Sequence, residues 1–186
     1  MAVQLTRRRF TTAEYEHMGE TGILTEDDHV ELINGEVLEM SPIGRRHVAC
    51  VLRLERLLGD RFRDVALVSS QNPVSLPPYD EPQPDVALLV PRADFYVSGL
   101  PGAADVLLLI EVADQSARYD REVKVPRYAR VGIREVWVVD LEHDRLLAYR
   151  DPAGGAYQVV QTLRRGEAVS PLGFPDRPVA VDDILP

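Results

Sequence analysis

Glu111 follows Val106-Leu107-Leu108-Leu109-Ile110, a run otherwise built to be buried. An ionised carboxylate in such a place is costly unless a cation pairs with it or a metal binds it. Asp85 has a related setting: Pro84 precedes it and Val86-Ala87-Leu88-Leu89-Val90 follows, so it enters a second apolar segment at its start, where a cleft could open. Two carboxylates on adjacent strand ends can hold a hard cation. Completed by water and by a backbone carbonyl such as that of Val112, the donor set suits Mg²⁺ or Mn²⁺ better than zinc. Taken singly, each acid reads more simply as a salt-bridge partner or a helix cap; the metal reading rests on the two together with a nearby lysine.

That lysine is Lys124, the one lysine among 21 Lys+Arg residues. A chain that chooses arginine everywhere else places here a compact ammonium on a flexible stem, which the broad guanidinium fork cannot replace in a tight site. Lys124 can orient a nucleophilic water or neutralise a phosphate in the transition state. The alternative is a lysine retained by chance on a solvated helix face.

The elements that must position these groups can be read from pattern. Thr11 or Thr12 starts a short helix with Glu14 and Glu16 near its positive end, packing through Tyr15 and Met18. Asn34-Gly35 accepts the positive φ angles of a tight turn and joins His29–Asn34 to Glu36–Met40 in a β-hairpin. Val48, Val51, Leu54, Leu57, Leu58 and Phe62 recur at helical spacing across Arg45–Phe62. Val65–Ser69, Pro73–Leu76 and Val86–Val90 read as strands. Val106–Ala113 and Val136–Leu141 are apolar enough to be central strands covered on both faces. A helix from about Asp120 to Val131, containing Pro126 and closed by Gly132, lies between them. Strand, helix, strand in that order favours a parallel pair. Arg145–Arg150 and Tyr157–Leu163 add an antiparallel hairpin at one edge, and the tail from Pro171 reads as irregular. The fold class expected is α/β (α+β): a central mixed β-sheet flanked by helices, with an N-terminal hairpin and a C-terminal antiparallel hairpin, in a single domain spanning 1–186.

Composition bounds the function. The 186 residues carry 45% hydrophobic side chains, enough for a real core, and the proportions exclude disorder, collagen and coiled coil. A net charge of -9 opposes coating nucleic acid by bulk charge, so any such contact must be local. The single cysteine, Cys50, cannot form an internal disulfide, which suits a reducing cytoplasm. No apolar run is long enough to cross a bilayer, and Arg7-Arg8-Arg9 is not followed by a leader's apolar segment; a soluble, cytoplasmic protein without a membrane partner is expected. His17, His29, His47 and His143 lack zinc-ligand spacing, and no G-x-S-x-G elbow is present.

Pro84-Asp85, Glu111-Val112-Ala113 and Lys124, in order with Glu31-Leu32-Ile33-Asn34-Gly35-Glu36 and Tyr128-Ala129-Arg130-Val131-Gly132-Ile133-Arg134-Glu135-Val136-Trp137-Val138-Val139-Asp140, resemble the Uma family of endonucleases, of the PD-(D/E)XK, restriction endonuclease-like superfamily. The likeness runs from about Thr11 to Asp140, and its strength lies in the ordered combination. It implies a restriction endonuclease-like sheet with metal ligands at Asp85 and Glu111 and a catalytic lysine at Lys124. The position two after Glu111, lysine in many superfamily members, is Ala113 here, so Lys124 would act from the following helix. The resemblance also implies that Glu31 adds a ligand or holds a metal-bound water, unless it is merely an exposed strand residue, and that His47 contacts phosphate, unless it is a helix-end hydrogen-bonding group. Gln115 is placed at the cleft, and Asp120 and Ser116 are read as caps of the Lys124 helix.

The reaction so implied is Mg²⁺- or Mn²⁺-dependent hydrolysis of phosphodiester bonds in DNA, with Arg45, Arg46, Arg53, Arg118, Arg121 and Arg127 available for grip. For most of these arginines an ordinary solvated helix face is the simpler account. A homodimer would let two sites cut two strands. The rival reading is a catalytically inactive nuclease-fold module acting in nucleic-acid binding or protein assembly, its acids engaged in structural pairing; another is a hydrolase of a different phosphoester.

Overall fold

The computed structural model describes residues 7–25, 27–114 and 119–186. Helix α1 (Thr12–Glu20) starts as its sequence directs: the Thr11 hydroxyl accepts from the Glu14 amide at 3.2 Å, and the Glu14 carboxylate accepts from the Thr11 amide at 2.9 Å. Tyr15 docks this helix by donating its hydroxyl to the Val30 carbonyl at 3.1 Å. Strands β1 (Val30–Ile33) and β2 (Glu36–Glu39) form a separate antiparallel pair, turned at Asn34 (φ 57°) and Gly35 (φ 74°). The hairpin is not isolated. Leu32 and Glu81 exchange backbone hydrogen bonds of 2.7 and 3.3 Å, which ties β1 to the chain leading into the main sheet.

Helix α2 (Arg45–Phe62) has the expected bounds. Its buried stripe is His47, Cys50, Val51, Leu54, Leu58 and Phe62, whereas Val48, expected on that stripe, is exposed. Stacking at three- and four-residue steps continues through Cys50 and His47, so Val48 falls one position off the face.

The main sheet has six strands: β3 (Leu67–Ser70), β4 (Val86–Leu89), β5 (Val106–Ala113), β6 (Glu135–Asp140), β7 (Arg145–Ala153) and β8 (Ala156–Arg164), hydrogen-bonded in that order. Only β5 and β6 are parallel, joined by the crossover the pattern called for; every other neighbouring pair is antiparallel. A mixed sheet flanked by helices is therefore the observed architecture. Alternation along β5 divides the core: Leu108, Ile110 and Val112 face α2, while Leu109 and Ala113 face the crossover.

Three expectations need correcting. Pro73–Leu76 is not a strand, contributing only a bridge between Leu76 and Asp80; prolines at 73, 77 and 78 remove the amides a ladder needs. The crossover does not hold one continuous α-helix. It is a π-helical turn, Asp120–Lys124, followed by α3 (Val125–Arg130) with Pro126 in its first turn, where a missing amide costs little. The tail from Pro171 is also more ordered than its composition suggested. Val179–Ala180 (β10) pairs with Ala168–Val169 (β9), and α4 (Val181–Ile184) follows. Val179, Val181, Ile184 and Leu185 are fully buried against the α2 side of the sheet. No helix among the described residues is long and apolar enough to cross a membrane.

Candidate active site

Strand pairing brings the two carboxylates together. Val86 lies opposite Ile110 in the antiparallel β4–β5 ladder, so Asp85, one residue before β4, arrives beside Glu111, one residue further along β5. Asp85 Oδ2 accepts the Val112 amide at 2.7 Å, a side-chain bond made just where the ladder ends. Its Oδ1 faces His47 Nε2 at 3.0 Å. Burial alone would lower the His47 pKa, but the hydrogen bond and charge of Asp85, with Asp114 and Asp120 beyond, raise it. His47 thus sits on an acid of the site from the first turn of α2. Its Nδ1 is buried with no hydrogen-bond partner among the described residues.

Glu111 is 2% exposed, and burial raises its pKa above the usual carboxylate range, with Lys124 pulling the other way. The Lys124 ammonium stands 3.5 Å from Glu111 Oε1 and 3.0 Å from Glu31 Oε2. Although burial disfavours a charged amine, Glu111, Glu31 and Asp120 together hold its pKa well above the ordinary lysine value. Its ammonium form is favoured in this setting and can donate hydrogen bonds.

Glu31 is buried rather than an exposed strand residue. Its Oε2 also accepts the Gln83 amide at 3.3 Å, while the Gln83 side chain donates to the Val30 carbonyl at 3.1 Å. The hairpin and the strand-like segment before β4 therefore deliver Glu31 as one unit.

Two residues of this cluster were not assigned to it by pattern. Tyr128, fully buried, donates its hydroxyl to Glu111 Oε1 at 2.5 Å. Its place four residues after Lys124 was the available signal. Asp120, expected as a cap, is a buried carboxylate inside the π turn, whose start carries no side-chain cap. It adds to the fields felt by Glu111, Lys124 and His47.

The arginines expected to grip substrate are mostly engaged within the chain. Arg46 pairs with Asp144 at 3.2 Å, Arg121 approaches Asp140 at 3.6 Å, and Arg127 pairs with Asp80 at 3.1 Å. Arg53 donates to the Leu185 carbonyl at 2.7 Å. Gln115, Ser116 and Arg118 lie outside the described residues.

The donors available to a cation are carboxylate oxygens and strand-end carbonyls. Among the described residues no group of three or more His, Cys, Asp and Glu side chains is arranged to hold a metal ion. Two carboxylates and a backbone carbonyl are hard oxygen donors, a set that suits Mg²⁺, which keeps much of its own hydration, and suits zinc poorly.

A six-stranded mixed sheet flanked by helices, with Asp85 beside Glu111 at the β4–β5 junction, is the architecture found. Comparison with a solved structure agrees: "a putative nuclease belonging to DUF820 from Anabaena variabilis ATCC 29413" superposes with a TM-score of 0.73 at 15% identity, covering 94% of this chain and 97% of that one. The chain belongs to the Uma2 family, described as "Putative restriction endonuclease", whose model matches residues 12–182. No curated protein matches it.

Proposed function

We propose that this protein is a metal-dependent endonuclease that hydrolyses phosphodiester bonds in DNA. The observation that carries the reading is the buried lysine held between Glu31 and Glu111 beside Asp85, at 3.0 and 3.5 Å from the two glutamates. Family membership and the nuclease fold support it.

Asp85, Glu111 and the Val112 carbonyl are the groups that would hold Mg²⁺ or Mn²⁺. The ion, when bound, would supply Lewis-acid polarisation of a phosphate oxygen and acidify a coordinated water. The protein's own contribution is placement and charge. His47 and the Val112 amide fix the Asp85 carboxylate from two sides. Glu31 anchors the Lys124 ammonium, which donates hydrogen bonds to the attacking water or to a phosphate oxygen as negative charge grows there. A homodimer bringing two such sites to opposite strands is the assembly we propose for duplex cleavage.

Cleavage of supercoiled plasmid, linear duplex and single-stranded DNA with Mg²⁺ or Mn²⁺ tests this, comparing wild type with Glu111→Ala and Lys124→Ala purified identically. The expected result is metal-dependent cutting by wild type, lost in both variants. Cutting that survives in both would place the activity elsewhere. A wild type that cuts none of the three would support the binding module instead.

A further inference from the structure

Asp120, Lys124 and Tyr128 are spaced four residues apart, and all three are buried toward the same acids. A regular α-helix does not hold such a series on one line. At about 100° per residue, four residues overshoot a full turn by about 40°, so two steps would drift by about 80°. The π turn changes the first step. The Val125 amide bonds the Asp120 carbonyl, five residues back. With about 4.4 residues per wider turn, the step from Asp120 to Lys124 undershoots by about 30°. The α step from Lys124 to Tyr128 overshoots by about 40°, and the two nearly cancel. The π turn thus brings Lys124 and Tyr128 onto Glu111 together with Asp120.

Lys124 and Tyr128 both engage Oε1 of Glu111, at 3.5 and 2.5 Å. A hydroxyl-to-carboxylate bond of that length is charge-assisted, and it fixes a side chain's rotamer as well as its charge. The ring behind it is fully buried in the apolar cluster on the crossover side of the sheet, which limits where the hydroxyl can point. We propose that Tyr128 is a positioning residue of the site: its hydroxyl pins Oε1 of Glu111 and leaves Oε2 as the oxygen presented to the divalent cation. The proposal rests on the nuclease reading, because it concerns the same carboxylate. Partners that orient metal ligands in this way commonly change affinity by about 10- to 100-fold when removed.

Calorimetric titration of the metal-free protein with Mn²⁺ alone tests the proposal without any cleavage assay. Tyr128→Phe keeps the ring and removes the hydroxyl, and it is expected to weaken Mn²⁺ binding by about 10-fold. The plasmid assay then shows reduced turnover at low Mn²⁺ that recovers as Mn²⁺ is raised, with substrate KM unchanged. Tyr157→Phe is the control. It also removes a half-buried tyrosine hydroxyl, one that donates to the Ile133 carbonyl at 2.7 Å, yet it touches no acid of the site; its Mn²⁺ affinity should equal that of wild type. Tyr128→Phe binding Mn²⁺ within twofold of wild type overturns the positioning role and leaves the nuclease reading standing. Equal weakening in both tyrosine variants also overturns it, as general loosening. A wild type that takes up no Mn²⁺ refutes the metal-dependent reading and this inference with it.

Discussion

Replacing Lys124 with methionine keeps the stem's bulk and removes the charge that Glu111 and Glu31 face. In the native protein that charge lies 3.0 and 3.5 Å from the two carboxylates, with both partners almost wholly buried. Removing one member of a buried pair strands the other, at a cost of about 3–5 kcal/mol. Glu111 escapes part of that cost by taking up a proton. Its pKa is already raised by burial, and losing Lys124 removes the contribution that lowers it. The sign follows from linkage. A carboxyl whose folded pKa exceeds its unfolded one binds more protons when folded, so its stability contribution is present at low pH and is lost as pH rises through the folded pKa. Glu111 is raised to about 8 in wild type and higher still without Lys124, so the deficit of Lys124→Met relative to wild type should grow as pH rises above about 8, by up to about 1.4 kcal/mol per unit. Urea unfolding followed by fluorescence of Trp137, the one tryptophan and fully buried, reads this directly. Adding Glu111→Gln in the same background should remove most of the pH dependence. A deficit that stays below about 1 kcal/mol at pH 10, or one that does not vary between pH 7 and pH 10, would refute the picture of a lysine neutralising buried acids.

Other perturbations separate structural from functional groups. Glu135 accepts from Trp137 Nε1 at 2.8 Å, Arg150 at 2.7 and 2.8 Å and the Leu172 amide at 2.6 Å. Glu135→Ala should cost about 3–5 kcal/mol in urea unfolding and leave Mn²⁺ affinity unchanged in the folded fraction. Burial, and then Glu16, push the Glu81 carboxyl up to about 7. The Glu81 contribution to wild-type stability should therefore be lost as pH rises from about 4.5 to 7, on the order of 3 kcal/mol, and Glu81→Gln should remove that part of the slope. Gly35→Ala would place a Cβ 2.5 Å from that of Arg9 at a φ of 74°. A loss of about 1–3 kcal/mol is expected, together with weaker protection of the hairpin amides in hydrogen exchange; a neutral variant would show that the Arg9 segment yields freely.

Local patterns that depend on one or two neighbouring residues were legible in the chain. The Thr11/Glu14 start of α1, the Asn34-Gly35 turn, the span of α2 and the parallel β5–β6 pair joined by a crossover all follow from capping, φ preference and hydrophobic period. The two acids and the lysine were legible for a related reason. A carboxylate in an apolar strand and one lysine among arginines break the pattern around them, and such breaks mark costs that function or pairing must offset.

Only the tertiary structure decided how those groups meet. For Glu31 the sequence left a site role and an exposed strand position both open, and the Leu32–Glu81 bridge, which folds the hairpin against the segment before β4, goes with a buried carboxylate on Lys124. Tyr128 had no role assigned by pattern until the fold set its hydroxyl on Glu111, and Asp120, read as a cap, lies buried within the π turn. Arg46, Arg53 and Arg127 looked free to grip a substrate, yet Asp144, the Leu185 carbonyl and Asp80 hold them from 98, 132 and 47 residues away. A residue's type fixes what chemistry it offers, and short-range spacing fixes the element that carries it. Which charges face one another across the fold is set by packing between distant segments, and no local pattern encodes that.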